Sequence, residues 1–470
     1  MSTTPHRISL LSLVMITVVS VDSIRNLPAA AKFGEILITF YVLGALFFLI
    51  PTALISAELA ATFRTSAGIY TWVKTAYGER MGLMAIWLQW IENVIWYPTI
   101  LSFVVGAFAY IISPTSLQNP YIIALAIVGV FWLLTFINLR GIETSAWFSN
   151  FCSIAGLIIP MLLIIYLGIE WVWMGKPLAI HITTSGLIPD MHNSQMWVSL
   201  TAIMLSFSGV EIATVHANDV ENPQRVFPAA LAYASLIILS TLICGSLSIA
   251  LVIPESKINL ITGILQAFEI FFSTHHLSSC LPFVAITLAI GATGGVSNWI
   301  IAPTKGLYFA AVDGNLPAIC AKQNSHDAPV TLLIAQAIIV TIIAGIFVLI
   351  PDVNQSYWLL TVIATQLYMV MYLIMFFAYL RIKKNHMHSR YFSVPGGRVG
   401  AYIVAIMGMI GCSVTLYVSL IPPESVFTTH TGWYSLTLLI TLIALSCPPL
   451  IFFRYLRSSN NRHSHASNTD

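Results

Sequence analysis

The chain has 470 residues, of which 58% are hydrophobic and only 8% are charged, whereas roughly a quarter of the residues in soluble globular domains are charged. This composition excludes an ordinary water-soluble domain, and a formal net charge of +2 gives no electrostatic basis for binding nucleic acid. Apolar runs repeatedly reach the roughly 20 residues that an α-helix needs to cross a bilayer. The sequence therefore predicts an all-α integral membrane protein surrounded by lipid.

Twelve membrane helices are predicted from apolar runs that end at charges, prolines and polar clusters. They are expected near residues 8–31, 36–61, 81–112, 120–139, 143–169, 196–217, 227–253, 281–312, 330–350, 356–380, 399–420 and 432–455. The segment 170–195 is predicted to be the longest connection and, because it is polar, an extracellular or periplasmic loop. Connections of this length leave no room for a soluble domain.

Basic residues predict the orientation, because loops rich in Lys and Arg stay in the cytoplasm. If the N-terminus is inside, sixteen of the 20 Lys and Arg residues fall on the cytoplasmic side, and only Lys32, Lys176 and Lys257 fall outside. Both termini are therefore predicted to be cytoplasmic. The N-terminal segment has no small-residue cleavage site, so the first helix is expected to remain. The short loops, the short tail and the lack of a cleaved signal together indicate the cytoplasmic (inner) membrane of a prokaryote.

The first and sixth predicted helices are each interrupted by polar residues. The interruptions are Val21–Pro28, which carries two charges, and Ser206–Glu211, where a glycine lies beside a carboxylate. Helices five positions apart enter the membrane from opposite sides, as in an inverted repeat of five plus five helices whose broken helices meet at the midplane. Two unrelated kinks are the alternative. The predicted organisation is a first repeat (1–170), a loop (171–195), a second repeat (196–380), two further helices (381–455) and a polar cytoplasmic tail (456–470).

Four charged residues lie deep within the predicted helices: Asp22, Arg25, Glu92 and Glu211. A charge at the bilayer centre costs at least about 2.5 kcal/mol, so such residues usually face the bundle interior and are paired or functional. Asp22 and Arg25 are three residues apart on the same helical face, which predicts that they neutralise each other as a structural ion pair; a functional role is the equal alternative. Glu211 lies beside an interruption, which favours a function.

Other motifs either predict local structure or exclude chemistry. The six cysteines have no metal-ligand spacing and read as buried apolar residues, and no nucleophile constellation indicates an enzyme. No cofactor or metal is therefore expected. Residues 68–78 place Tyr70, Val73 and Tyr77 on one face, which predicts a short amphipathic helix at the cytoplasmic interface. Trp299, Tyr368 and Tyr372 lie in the middle of predicted helices, where pocket lining and core packing remain equal alternatives.

The run Leu205–Glu211, followed by Glu221–Arg225 and Pro228, resembles the sixth helix of the amino acid/polyamine/organocation (APC) superfamily, and the chain is most similar to its glutamate:GABA antiporter branch. Further matching segments are Glu58, Ala67–Val73, Ser297–Gly306, Tyr368 with Tyr372, and Val394–Gly397. The resemblance implies the LeuT-type fold, with helices 1 and 6 broken and two additional C-terminal helices. It also implies a secondary amino acid transporter that works by alternating access, as an antiporter or a proton-coupled symporter.

The resemblance further implies where the substrate binds. Its α-carboxylate and α-amino groups would meet backbone groups at the two breaks, since a half-helix N-terminus suits an anion and unwound carbonyls suit an ammonium. Trp299, Tyr368 and Tyr372 match pocket or gate positions, and Glu211 matches an acidic position linked to proton coupling. The predicted substrate site comprises Val21, Asp22, Ser23, Ile24, Arg25, Gln89, Glu92, Phe207, Ser208, Gly209, Trp299, Tyr368 and Tyr372, with Glu211 predicted to couple transport to protons.

Three departures from the family pattern concern the substrate. Val21-Asp22-Ser23 replaces the superfamily's Gly-Ser-Gly, while Gly295 and Gln89 stand where the antiporter has an acidic residue and a tyrosine. Asp22 and Glu92 favour a cationic or small neutral amino acid, whereas Arg25 favours an acidic one. The sequence does not decide whether an amine or a second amino acid is exchanged, or whether protons take part. It also leaves open whether the protein is a monomer or a homodimer. A nontransporting sensor is the alternative function, and a membrane-embedded enzyme is a weaker one.

Overall fold

In a computed structural model, the regular structure is helical throughout the part of the chain that the structure describes. The described residues are 8–63, 67–112, 119–140, 152, 154–190, 192–212, 220, 222–350, 352–385, 392–424 and 431–452. The predicted tail at 456–470 lies outside them, as do the beginning of the fifth predicted helix and residues 213–217 of the sixth.

Twelve helices among the described residues are long and apolar enough to cross a membrane, and we number them as spans in chain order. Spans 1–12 are Leu10–Ala31, Gly34–Thr62, Glu79–Ile112, Pro120–Leu139, Ala155–Trp173, Ser194–Ile212, Arg225–Val252, Ser278–Val312, Val330–Leu349, Val353–Lys384, Gly397–Val418 and Trp433–Phe452. Where both are described, the predicted and observed ends agree to within four residues. The predicted all-α class and the twelve helices are therefore confirmed.

Span 1 is interrupted in its middle, as predicted. The helix Leu10–Val21 ends where Asp22 and Ser23 adopt extended backbone, and the chain resumes as a 3-10 turn over Ile24–Asn26 and a short helix over Leu27–Ala31. Extended residues within a span leave backbone N–H and C=O groups without helical partners, which membrane proteins tolerate only where protein or a polar cavity surrounds them. The interruption therefore creates a polar site inside the bundle.

Span 6 is interrupted at the equivalent position. The helix Ser199–Ser206 ends at Phe207, and Gly209 follows with φ of +106°. A Cβ atom on Gly209 would also lie 2.7 Å from the Trp299 ring. Only glycine meets both constraints, because it alone adopts positive φ without strain and adds no side chain. Both predicted interruptions are thus present in the fold.

Spans 3, 6 and 10 form the centre of the bundle. These three spans bury a larger share of their residues inside the bundle than the other described spans do, and span 12 buries the smallest share. Span 3 packs against spans 8 and 10, span 1 packs against span 7, and span 10 also packs against span 11. The residues of spans 3, 6 and 10 therefore face other helices, and this is where polar side chains can be held away from lipid.

Among the described residues, two shorter α-helices lie outside the spans. The predicted amphipathic helix is present over Ile69–Tyr77, with Tyr70, Trp72 and Val73 buried. The second, Gly263–Thr274, lies between spans 7 and 8 and was not predicted. It makes 253–277 the longest connection between described spans, so the prediction that 170–195 would be the longest was wrong. Twelve residues are too few to cross a bilayer, so this helix lacks the length by which membrane helices are predicted from sequence.

The amphipathic helix is tied to the end of span 8 by a carboxylate. Both Tyr70 Oη and Lys74 Nζ donate to Asp313 Oδ2, each at 2.6 Å, and Asn315 donates to Tyr70 Oη at 3.0 Å. Burial opposes ionisation of Asp313, but the hydrogen bonds from Lys74 and Tyr70 outweigh it and hold the pKa of this carboxyl below its ordinary value. The hydrogen bond to Asp313 raises the pKa of Lys74. The contact therefore persists across neutral pH and is lost only in strong acid or strong base.

Spans 5 and 8 cross with their backbones in contact at Gly156 and Gly291. A Cβ atom on Gly156 would lie 2.2 Å from the Thr287 carbonyl oxygen, and one on Gly291 would lie 2.4 Å from the Gly156 carbonyl carbon. Small residues at such crossings let membrane helices approach closely. This crossing fixes the distance between two helices that also line the central cavity.

We expect Gly291→Ala to destabilise the protein by about 1–3 kcal/mol, because the added methyl forces two backbones apart. Thermal unfolding in detergent measures the effect. Gly295→Ala, one turn further along span 8, is the matched control, since nothing lies within 4 Å of its Cβ position and alanine favours helix by about 1 kcal/mol. Equal unfolding temperatures for the two variants would contradict the crossing.

Candidate functional site

A central cavity lies where the two interrupted spans meet. Its space is about 720 Å³, open solvent included. Spans 1, 3, 5, 6, 8 and 10 form its walls. The predicted site residues that line it are Val21, Asp22, Ser23, Ile24, Arg25, Glu92, Ser208, Trp299 and Tyr368.

Arg25 is a buried cation in the cavity wall, with 2% of its surface exposed. Its Nη1 donates to Tyr357 Oη at 2.9 Å and to Thr99 Oγ1 at 3.2 Å, and its guanidinium lies 4.9 Å from the centroid of the Trp96 ring. Its Nε has no hydrogen-bond partner. Neutral oxygens and an aromatic face therefore hold the guanidinium, and its Nε donor has no partner.

Asp22 does not pair with Arg25. Its Oδ2 accepts a hydrogen bond from Thr241 Oγ1 of span 7 at 2.7 Å, while its Oδ1 has no partner. The ion pair expected for a continuous helix is absent between these two described side chains. The reason is the extended backbone at Asp22, because residues three apart share a face only within a helix. The structural-pair interpretation was therefore wrong.

Glu92 completes the charges that line the cavity. Its Oε2 accepts a hydrogen bond from Asn93 Nδ2 at 2.9 Å, and it interacts electrostatically with Arg25. Its carboxylate is nevertheless more than 4 Å from the guanidinium nitrogens, since no ion pair joins these two described residues. The cavity wall thus holds one cation and two carboxylates that do not neutralise one another by direct contact.

Glu211 lies behind the cavity wall and is the centre of a hydrogen-bond network from two other spans. Gln89 Nε2 donates to its Oε1 at 3.0 Å, and Tyr368 Oη donates to the same atom at 2.7 Å. Tyr372 Oη donates to Oε2 at 2.5 Å. Because Tyr368 also lines the cavity, its hydroxyl connects the cavity to the buried carboxylate.

Four predicted site residues do not line the cavity: Gln89, Phe207, Gly209 and Tyr372. Gln89 and Tyr372 bind Glu211, and the backbone N–H of Gly209 donates to Tyr372 Oη at 2.9 Å. Phe207 packs edge-to-face on Tyr41, with ring centroids 5.6 Å apart. These residues belong to the break in span 6 or bind Glu211 beside it. Their part in substrate binding stays a prediction.

Trp299 links the two breaks from span 8. Its Nε1 donates to the Ser20 carbonyl oxygen at 3.2 Å, just before the break in span 1, and its ring lies against Gly209 of span 6. The ring centroid is also 5.8 Å from that of Trp96. One side chain therefore contacts both interrupted helices and the wall of the cavity.

Sequence reasoning missed the residues that hold the charges in the cavity. Trp96 and Thr99 lie four and seven residues after Glu92, so helical periodicity places them on its face of span 3, and this signal could have found them. Tyr357 and Thr241 hold Arg25 and Asp22 from spans 10 and 7. Nothing local in the sequence connects them to span 1, more than two hundred residues away.

A second pocket, with a space of about 320 Å³ that includes open solvent, lies beyond Glu211. Gln89 and Glu211 line it together with Gly68 at the beginning of the amphipathic helix and with Pro303 and Gly306 of span 8. The latter residues lie past Trp299, towards the end of the bundle that carries the amphipathic helix. The network around Glu211 therefore separates the central cavity from a pocket at that end. In the described residues, no group of three or more His, Cys, Asp or Glu side chains could hold a metal ion.

Comparison with known proteins assigns the family. A family model described as amino acid permease matches residues 8–444. The chain belongs to this amino acid permease family, within the APC superfamily that its sixth helix resembles. It is a secondary amino acid transporter with the LeuT-type fold and a multi-pass membrane protein. The family favours neither the sensor nor the enzyme alternative.

Three relatives give the range of similarity. An uncharacterized transporter of Legionella pneumophila is 37% identical, over 89% of this chain and 90% of its own. A glutamate/γ-aminobutyrate antiporter of Lactococcus lactis is 31% identical, over 95% and 90%. A probable agmatine/putrescine antiporter of the same species is 22% identical, over 89% and 88%. The similarity therefore extends over nearly the whole transporter.

We expect Trp299→Phe to weaken the apparent affinity for substrate several-fold, because the hydrogen bond from Trp299 to the Ser20 carbonyl oxygen beside the break in span 1 is worth about 1 kcal/mol. Uptake kinetics in proteoliposomes measure the change. Trp90→Phe is the control, since Trp90 is also a tryptophan of the bundle but its Nε1 has no partner. A purely structural Trp299 would give less folded protein but normal kinetics.

Proposed function

We propose that the protein exchanges an acidic amino acid for another amino acid or amine across the cytoplasmic membrane, with both termini inside. The observation that carries this proposal is the cation in the cavity wall. Arg25 is buried, has a donor without a partner and lies more than 4 Å from either cavity carboxylate. A site with this feature favours a ligand that brings its own anionic group.

The cost of an isolated charge supports this proposal. A charged side chain in the membrane costs at least about 2.5 kcal/mol, and a buried ion without a partner is strongly destabilising. The hydroxyls of Thr99 and Tyr357 offset only part of this cost. A guanidinium binds a carboxylate through two parallel hydrogen bonds, so a substrate carboxylate would use the free Nε of Arg25.

The rest of the cavity suits the other groups of such a substrate. The free Oδ1 of Asp22 and the carboxylate of Glu92 line the same cavity and would attract the ammonium. The α-carboxylate would meet backbone N–H groups freed at the breaks, as the family resemblance implies. Two carboxylates and one ammonium on the substrate thus match three separate regions of the wall.

The Lactococcus antiporter for glutamate and γ-aminobutyrate supports an acidic substrate and an exchange mechanism. This chain has Gly295 where that branch has an acidic residue, and nothing lies within 4 Å of the Cβ position of Gly295. The cavity therefore has open space and no carboxylate at this position next to Trp299. Both features favour an anionic side chain.

Glu211 would carry the proton that accompanies or regulates exchange. A proton that arrives on Glu211 turns one carboxylate oxygen into a hydrogen-bond donor, which changes the network around it. Tyr368 and Tyr372 can accommodate this change, since a phenol both donates and accepts. Because Tyr368 lines the cavity and Glu211 lines the second pocket, protonation would act on the layer between them, which we propose to be the inner gate.

We expect glutamate and aspartate to raise the unfolding temperature of the purified protein more than glutamine and asparagine do, because a ligand that binds only the folded state stabilises it. Arg25→Gln should remove this preference, with affinity for the acidic ligands lower by about tenfold or more, as for the loss of a charged hydrogen bond.

Arg25→Lys is the matched control because it keeps the charge but lacks the guanidinium's paired donors. It should bind more weakly than the wild type and still prefer acidic to amide ligands. An equal response of the wild type to glutamate and glutamine, or a preference for lysine and arginine, would contradict an acidic substrate.

We expect Glu211→Gln to make uptake far less dependent on pH between acid and neutral conditions, since an amide holds the network without titrating. Initial uptake rates in proteoliposomes at a series of pH values measure this. Glu211→Asp should retain a pH dependence, because it retains a carboxylate. An unchanged profile in Glu211→Gln would remove this residue from the proton step.

A further inference from the structure

A further buried carboxylate, Glu58, lies at the end of span 2 and contacts span 10. It is 0% exposed and forms an ion pair with Lys383. Its Oε2 accepts hydrogen bonds from Tyr379 Oη at 2.6 Å and from the backbone N–H of Val394 at 3.0 Å. Lys383 also donates to Ser393 Oγ at 2.9 Å. Glu58 therefore joins span 2 to span 10 and to the segment before span 11.

The residues that bind Glu58 belong to the same face of span 10 as those that bind Glu211. At 3.6 residues per turn, Tyr368, Tyr372, Tyr379 and Lys383 fall within an arc of roughly 60°. This polar stripe reaches two carboxylates from two other helices, Glu211 by its first half and Glu58 by its second. The two sets of contacts are separated by about 10 Å along the helix.

We infer that Glu58 is a positioning residue, which fixes the rotation and height of span 10 so that Tyr368 and Tyr372 meet Glu211. The inference rests on the proposed role of Glu211 in transport. It assigns Glu58, Tyr379 and Lys383 a part in the exchange step although none of them lines the cavity.

The geometry makes the gate sensitive to rotation of span 10. A tyrosine hydroxyl lies roughly 9 Å from the axis of its helix, so a rotation of about 20° moves it by about 3 Å. Such a movement breaks a hydrogen bond, since bonds beyond about 3.5 Å no longer count. Three contacts on Glu58 from span 10 and the following segment oppose that rotation.

Stability alone does not account for this ion pair. Burying a lysine and a glutamate costs much of what their attraction gains, so buried ion pairs contribute little net stability. Fixing one arrangement of helices is a better-attested use of such a pair. The contact lies at the same end of the bundle as the amphipathic helix, whose Tyr77 donates to the carbonyl oxygen of Phe377 in span 10.

A double-mutant cycle tests the inference. Tyr379→Phe and Tyr372→Phe are made singly and together, and the maximal exchange rate is measured in proteoliposomes. Residues this far apart with no shared partner normally act additively. If Tyr379 acts through the contacts of Glu211, the loss caused by Tyr372→Phe should be about threefold or more smaller when Tyr379→Phe is already present. When Glu58→Gln is already present, the loss of exchange rate caused by Tyr372→Phe should be smaller in the same way.

Tyr434→Phe is the matched control. It also removes a buried tyrosine hydroxyl that bonds to span 10, since Trp358 Nε1 donates to Tyr434 Oη at 3.3 Å, but it lies outside the polar stripe. Its effect should combine independently with that of Tyr372→Phe. Independent effects for Tyr379→Phe as well would overturn the inference, whatever the rates of the single variants.

The same cycle in unfolding temperature separates this inference from the proposed function. If the wild type transports no amino acid but the two substitutions still interact in stability, the positioning role stands and the proposed function fails. If exchange occurs and the effects are additive in both measurements, the proposed function stands and Glu58 is only a structural contact.

Discussion

The centre of this transporter depends on one carboxylate that must be kept inside a membrane bundle. Glu211 lies at the break of span 6, with 3% of its surface exposed, where an unsatisfied charge costs several kcal/mol. Gln89 from span 3 and two tyrosines from span 10 donate to it, and Tyr372 also accepts from the freed N–H of Gly209. Burying this one group therefore brings three spans together and stabilises the break that opens the cavity.

Two sets of buried charges have different consequences. Glu58 and Lys383 neutralise each other, with hydrogen bonds to three further groups, and hold helices in place. Arg25 and Asp22 line a cavity, do not pair, and each keeps one atom without a partner. The groups of a structural ion pair have their hydrogen-bond partners within the protein, whereas a binding site has donors and acceptors that only a ligand can satisfy. The cavity has the second pattern.

The sequence predicted the features that have a local signal. Twelve apolar runs, the polar interruptions at Asp22 and Gly209, and the amphipathic pattern around Tyr70 all follow from residues close together in the chain. Contacts across the chain had no such signal: Arg25 with Tyr357 spans 332 residues and Glu58 with Lys383 spans 325. The expected pairing of Asp22 with Arg25 failed because it assumed that a helix continues through residues which the fold leaves extended.

We propose that the cavity at the two broken helices carries an acidic amino acid across the bilayer, and counterflow tests this proposal most directly. Purified protein is reconstituted into vesicles loaded with unlabelled glutamate, and labelled glutamate is added outside. Label should accumulate transiently above its equilibrium level in loaded vesicles and enter empty ones far more slowly. Equal entry into loaded and empty vesicles would contradict exchange, and no entry with any amino acid inside at any pH would contradict transport.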